Sequence, residues 1–227
     1  MPDSPPRRLP RGRHALAPEE VRRIQRSRLC AAMAEVMAEK GYVATSVADV
    51  LQRAGVSRQS FYALFDSKLD CFMAAFECAG ELLMDRLVEV VGDSTGGPSA
   101  GGPGTVDDRL ALCERAISAY VDALAEELPY ARLFLVEVYA AGPEAIARRS
   151  RTQEIITAAL ADLIGAADEP ARFACRMIVA AMSAMVTPPA AEMDAAALRA
   201  LGPSLIEHVR VLWRAGVLGG VPARSRS

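Results

Sequence analysis

The chain has 227 residues, is 52% apolar and 24% charged, and carries a net charge of −2. That length suits one large or two small domains, each able to bury a core. Its two histidines, His14 and His208, leave no triad built on histidine and no histidine cluster for a metal. No glycine-rich phosphate loop follows a strand pattern, and 92–104 lacks the Lys-Ser/Thr ending of a P-loop. No catalytic residue, metal or cofactor is therefore expected. Abundant alanine and short β-branched runs point to an all-α protein. The charge is uneven: residues 1–68 hold 12 Lys/Arg against 7 Asp/Glu, and residues 69–227 hold 14 against 21. A basic head on an acidic body suits nucleic acid at one end.

Residues 1–17, with four prolines and Arg7, Arg8, Arg11 and Arg13, form a basic leader not expected to fold alone. It is either an arm reaching toward DNA or a solubilising tail. Pro18 fits the first position of a helix, with Glu19 and Glu20 at the positive end of its dipole. That helix should run to about Lys40, bury Leu29, Met33, Val36 and Met37, and stop at Gly41. The arginines at 22, 23, 26 and 28 make either a solvated face or a flank for the DNA backbone.

The stretch from Ser46 to Lys68 organises the rest. Val47, Val50, Leu51 and Ala54 form one helical stripe, opened by an S-x-x-D capping box at Ser46 and Asp49 and stopped by Gly55. Ser57 caps a second short helix with Phe61, Leu64 and Phe65 inward and Arg58, Gln59, Ser60 and Tyr62 outward. Two short helices around a glycine turn are the signature of a helix-turn-helix. The ordered run Gly41-Tyr42, Thr45-Ser46, Ala54-Gly55-Val56-Ser57, Tyr62, Phe65 and Ser67-Lys68 resembles the DNA-binding head of the TetR (tetracycline-repressor) family. The likeness covers about a fifth of the chain. Three positions depart from the family pattern: Gln59 stands where glycine is frequent, Leu64 replaces a polar ring, and Leu51 a small alanine.

Ser67 and Asp70 repeat the capping box and open a long helix with Leu69, Phe72, Met73, Phe76, Leu83 and Leu87 on its apolar face. Residues 92–104, rich in Gly, Pro and Ser, are expected to be a flexible loop. Helices follow at about 105–127, 129–141, 143–165 and 169–187, the last closed by Pro188-Pro189. A final helical region at 194–215 is expected to break at Gly202-Pro203, and 218–227 to fray. About nine helices result, divided into a DNA-binding domain at 18–67 and a ligand-binding and dimerisation domain at 68–217. The five cysteines, at 30, 71, 78, 113 and 175, lack C-x-x-C spacing and fit small core residues of a reducing compartment. No apolar leader precedes a cleavage site and no 18-residue uncharged apolar run occurs, so a cytoplasmic protein without membrane contact is expected.

Roles follow from the resemblance. Arg58 and Gln59 would read guanine and adenine, Ser60 a base edge or a phosphate, and Ser46, Ser57, Tyr62 and Lys68 would touch phosphates. The family forms dimers through a bundle of the last two helices, which implies an interface at Met182, Leu205, Val209, Leu212 and Trp213 and a palindromic operator. Each of these positions also suits ordinary intrachain core. Phe76, Met84, Tyr120, Phe134, Glu137, Val138, Phe173, Met177 and Met182 are candidates for a pocket holding a small apolar or cationic effector. Glu137 stands out within the apolar run LFLVEVY, where it meets a cationic ligand, pairs with an arginine such as Arg176, or faces water. The expected function is a sequence-specific transcriptional regulator, a repressor released by that effector. The competing expectation is a ligand-independent regulator whose body is a protein-interaction module.

Overall fold

Helix α1 (Pro18–Ala44) begins at its proline with Glu19 and Glu20 in the first turn. At Gly41 it leaves helical geometry (φ 76°, ψ 164°), a conformation that glycine adopts without a Cβ penalty. The buried face of α1 includes Leu29, Met33, Val36 and Met37, the four residues its periodicity singles out. In this computed structural model residues 17–92 and 106–218 are described, and their regular elements are all helical. The leader, the Gly/Pro/Ser run and the tail lie outside the described residues, apart from Ala17, Gly92 and Leu218 at their edges.

Helix α2 (Val47–Ala54) opens with the full capping box. The Asp49 N–H donates to Ser46 Oγ at 3.2 Å, and the Ser46 N–H donates to Asp49 Oδ2 at 2.9 Å. Gly55 ends it in the left-handed region, φ 61°. Arg53 clamps α2 to α1 through Glu35 (2.9 Å) and Glu39 (2.6 Å). Lys40 holds Asp49 Oδ1 at 2.6 Å. That lysine first, and then Ser46, keep the Asp49 carboxyl below the usual carboxylate range. A depressed carboxylate stabilises the fold above its unfolded value, and the contribution disappears as pH falls through the lower folded value. Ser46→Ala removes one half of the box and is expected to cost about 1 kcal/mol, read as a lower urea midpoint at neutral pH.

Helix α3 (Arg58–Tyr62) crosses beneath, with Phe61 and Phe65 fully within the core. Helix α4 (Lys68–Gly92) then leaves the head. Its Ser67 cap accepts the Asp70 N–H at 3.0 Å, but Asp70 answers the N–H of Asp66 rather than that of Ser67. The body follows as α5 (Val106–Glu126), α6 (Leu128–Arg132), a π-helical turn at Leu133–Glu137, α7 (Val138–Ala141), α8 (Pro143–Ile164), α9 (Glu169–Ala191) and α10 (Ala195–Arg214). With 128–141 taken as one run, nine helical runs are described. One apolar cluster extends from Leu29 in α1 through Phe72 and Phe76 of α4 to Leu133 and Leu198. A second, around Ile117, Ile164, Val209 and Trp213, binds α5, α8, α9 and α10. Arg210 reinforces it with a fork to Glu114 at 2.6 and 2.7 Å.

Two expected breaks are absent. Helix α9 passes through Pro188-Pro189 to Ala191, and α10 passes through Gly202-Pro203. A proline inside a helix frees the carbonyl four residues back. Here those carbonyls belong to Ala184, Met185 and Arg199, all exposed residues where water can take the bond. Helix α9 is also long and apolar enough to cross a membrane by length and composition, although only a third of that window is buried.

Candidate nucleic-acid interface and the cavity behind it

The outer face of α3 mixes residues that cap or pack the helix with two, Arg58 and Gln59, that the fold does not use. Ser57 caps the helix by accepting the Ser60 N–H at 3.1 Å, and its hydroxyl contacts Ser60 Oγ at 2.9 Å. This leaves the helix N-terminus, with its free N–H groups, turned to solvent. Arg58 and Gln59 follow on the exposed side, and neither makes an ion pair or side-chain hydrogen bond among the described residues. Tyr62 is half exposed, its ring edge packed on Phe61 at 5.3 Å. Ser46 faces solvent at the start of α2, its hydroxyl 2.6 Å from Asp49 Oδ2. Leu51 and Leu64, the apolar departures, pack half-buried against the head core. Val43 near the end of α1, which the motif gave no reason to notice, is 83% exposed.

Lys68 is different, because it has a structural task beside the phosphate contact expected of it. Its ammonium donates to the carbonyls of Tyr42 (2.9 Å) and Thr45 (3.0 Å) and lies 4.2 Å from the Tyr42 ring centroid. Those carbonyls are among the orphan acceptors that end α1, so Lys68 closes a helix terminus. Two of the three ammonium N–H groups are engaged in this way.

For Glu137 the arginine alternative holds, with Arg132 in the place suggested for Arg176. It is 6% exposed, and it meets neither Arg176 nor solvent. Its Oε2 accepts the Tyr42 N–H at 2.7 Å, and its Oε1 accepts Arg132 Nε at 3.1 Å. Arg132 in turn donates to the Ala191 carbonyl at the end of α9. Arg132 and Glu137 lie five residues apart, so the π-turn brings them onto one side. Gly41 is required here: a Cβ would come within 3.4 Å of Glu137 Oε2 at a positive φ. A column of rings runs parallel to this polar joint, Tyr42 to Phe72 (5.3 Å), Phe72 to Phe76 (6.4 Å), and Phe76 stacked on Phe134 (4.6 Å). The Tyr42 corner of the head is thus connected to the π-turn twice.

Phe134 also lines a cavity of about 250 Å³ between α4, α5, α8 and α9. Ligand sites typically hold roughly 300–1,000 Å³, so this is a narrow one. Of the nine pocket candidates, Met84, Tyr120, Phe134 and Met182 line it, joined by Leu87, Ile117 and Leu160, which were not singled out. Phe76 supports Phe134 from behind. Val138 is buried away from the cavity, in the core shared with α1. Phe173 and Met177 are exposed by 53% and 58%, so they belong to the surface of α9. Burial pushes the Tyr120 phenol up.

The interface candidates on α10 are corrected too. Leu205, Val209 and Trp213 are 3–7% exposed within one chain, packed in the second cluster with Leu212. Met182 lines the cavity. The apolar stripe left outside comprises Phe173, Met177, Ala181 and Met185 on α9, at four-residue spacing. Among the cysteines, Cys30 donates a hydrogen bond to Cys78 across α1 and α4. That bond holds the Cys78 thiol down to about 7 and, with burial, pushes Cys30 up. No group of three or more His, Cys, Asp or Glu suited to a metal occurs among the described residues.

A short, polar, solvent-facing helix set on a small helical head, and a cavity-bearing body fused to it, have the layout of a helix-turn-helix protein with an all-helical second part. Residues 29–75 match the family described as bacterial regulatory proteins, tetR family. Over that segment the chain is similar to the family's DNA-binding head. The HTH-type transcriptional activator FasR of Mycolicibacterium smegmatis is 27% identical over 140 residues, 62% of this chain and 58% of its own length. This chain thus spans less than two thirds of that relative. Its fold is that of the fatty acid degradation regulator FadR from Bacillus halodurans (TM-score 0.65, 17% identity, 88% of this chain and 97% of that one). FadR from Bacillus subtilis, solved in complex with stearoyl-CoA, superposes with a TM-score of 0.58 at 20% identity, over 86% of this chain and 99% of the other. The relative and the two neighbours are each described as regulators.

Proposed function

We propose that the chain is a cytoplasmic, homodimeric repressor without catalytic activity, which binds a palindromic operator through α3 and leaves it when an effector fills the cavity. The observation that carries this reading is the α3 face, where Arg58, Gln59 and Tyr62 are exposed, Ser60 is half-buried between them, and Arg58 and Gln59 have no structural task. One five-residue helix reads few base pairs, so two heads about one duplex turn apart, roughly 34–36 Å, supply useful specificity. The stripe on α9 supports pairing through that helix. The cavity lining and the acyl ligand of the B. subtilis neighbour support an effector with a long apolar chain.

Fluorescence anisotropy with duplexes from the chain's own upstream region tests the reading. Binding should weaken steeply with salt. Arg58→Ala should lose roughly 1–3 kcal/mol on the preferred duplex and far less on a scrambled one. Parent-like binding by Arg58→Ala to both duplexes rejects the assignment of α3.

A further inference from the structure

Arg149 lies on α8, one turn before Gln153. Its Nη2 donates to Ser183 Oγ of α9 at 2.7 Å, and its Nη1 reaches Gln153 Oε1 at 3.5 Å. Its charge also acts on the interior phenol of Tyr120 from α5. Tyr120, Gln153 and Ser183 are the only side chains on the cavity wall that bear oxygen or nitrogen, among the described residues. Two of the three, Gln153 and Ser183, are therefore held by one guanidinium, while the rest of the wall beyond Tyr120 is hydrocarbon and sulfur.

The guanidinium is not paid off within the fold. Its Nε is buried with no hydrogen-bond partner, and no carboxylate pairs with Arg149 among the described residues. The face of the Tyr139 ring, 5.2 Å away, is its other neighbour. By contrast, its sequence neighbour Arg148 is paired with Glu77 at 2.5 Å. An arginine held by neutral acceptors beside an apolar cavity, with a buried donor unused, favours an anion.

Resting on the effector reading above, we propose that the effector is an amphipathic anion: an apolar chain fills the cavity and its terminal carboxylate sits on Arg149, with Gln153, Ser183 and Tyr120 around it. The cationic effector expected from the body's acidic balance is the reverse of this. The one buried carboxylate that suggested it, Glu137, is occupied by Tyr42 and Arg132. No step of bond making is involved; the site only binds.

Titration calorimetry on the full-length protein with four sixteen-carbon probes tests this: the carboxylate, its coenzyme A thioester, the alcohol and the trimethylammonium. The carboxylate should bind roughly tenfold or more tighter than the alcohol. Arg149→Gln, which keeps a donor for Ser183, should erase that preference and leave the alcohol's affinity unchanged. Arg149→Lys should retain part of it, and the ranking on the parent decides the matter if Arg149→Gln fails to fold. The inference is overturned if alcohol and carboxylate bind alike. It is also overturned if the thioester alone binds, with an affinity indifferent to Arg149. In those two cases the cavity remains an effector site. If none of the four probes binds, the effector reading falls together with the inference.

Discussion

Glu137→Ala is expected to lower stability by about 3 kcal/mol, the low end for breaking a buried ion pair because Arg132 keeps some exposure. For a chain this size that is a fall of roughly 6–12 °C in Tm, read by differential scanning fluorimetry. The loss has two parts, since alanine strands both the Arg132 guanidinium and the Tyr42 N–H. Glu137→Gln separates them, as its carbonyl oxygen can still accept from Tyr42 while the ion pair is gone. It should melt between the parent and Glu137→Ala. The two variants should also differ in what the head feels. With the polar joint cut, only the ring column through Phe72 and Phe76 still ties Tyr42 to the cavity wall. Effector should then release Glu137→Ala from DNA less completely than the parent, in an anisotropy competition run below both melting points. A Glu137→Ala variant that melts within a degree of the parent would show that this carboxylate holds nothing together.

The head was legible because its instructions are local. A capping box at Ser46, a glycine at 55 and a second cap at Ser57 each specify their own turn, and the structure realises all three. What failed depended on partners distant in the chain. The period of Leu205, Val209 and Trp213 announces a buried face, but periodicity is silent on whether the cover is another chain; here it is α5 and the second cluster. Pro188 and Pro203 looked like breaks because the lost hydrogen bond is a local fact, whereas the exposed carbonyls that make the loss tolerable are a tertiary one. The second task of Lys68, folding its ammonium back onto the end of α1, is likewise invisible at the motif position. The π-turn at 133–137 left no trace in the apolar pattern, which a π-turn and an α-turn satisfy equally over five residues. Arg149 was hidden for a simpler reason. It stands in the run Arg148-Arg149-Ser150-Arg151, which reads as a solvated face, and only one of those arginines turns its Nε inward.

If two copies pair through the α9 stripe, Met177→Glu combined with Met185→Glu should yield a monomer by sedimentation, since two like charges would face their counterparts across a two-fold axis. Both methionines are about half exposed in the single chain, so the monomer itself should melt near the parent's temperature once dimer stabilisation is allowed for. DNA affinity should fall at least a hundredfold, because one head then binds without its partner's half-site. Leu205→Glu makes the opposite combination. It buries a charge against α5 and Trp213, and should unfold the body outright. An interface on α10 at Leu205, Val209 and Trp213 demands the reverse: a folded monomer from Leu205→Glu, and an intact dimer from the methionine pair. One sedimentation run on each variant, with a thermal melt beside it, separates the two arrangements.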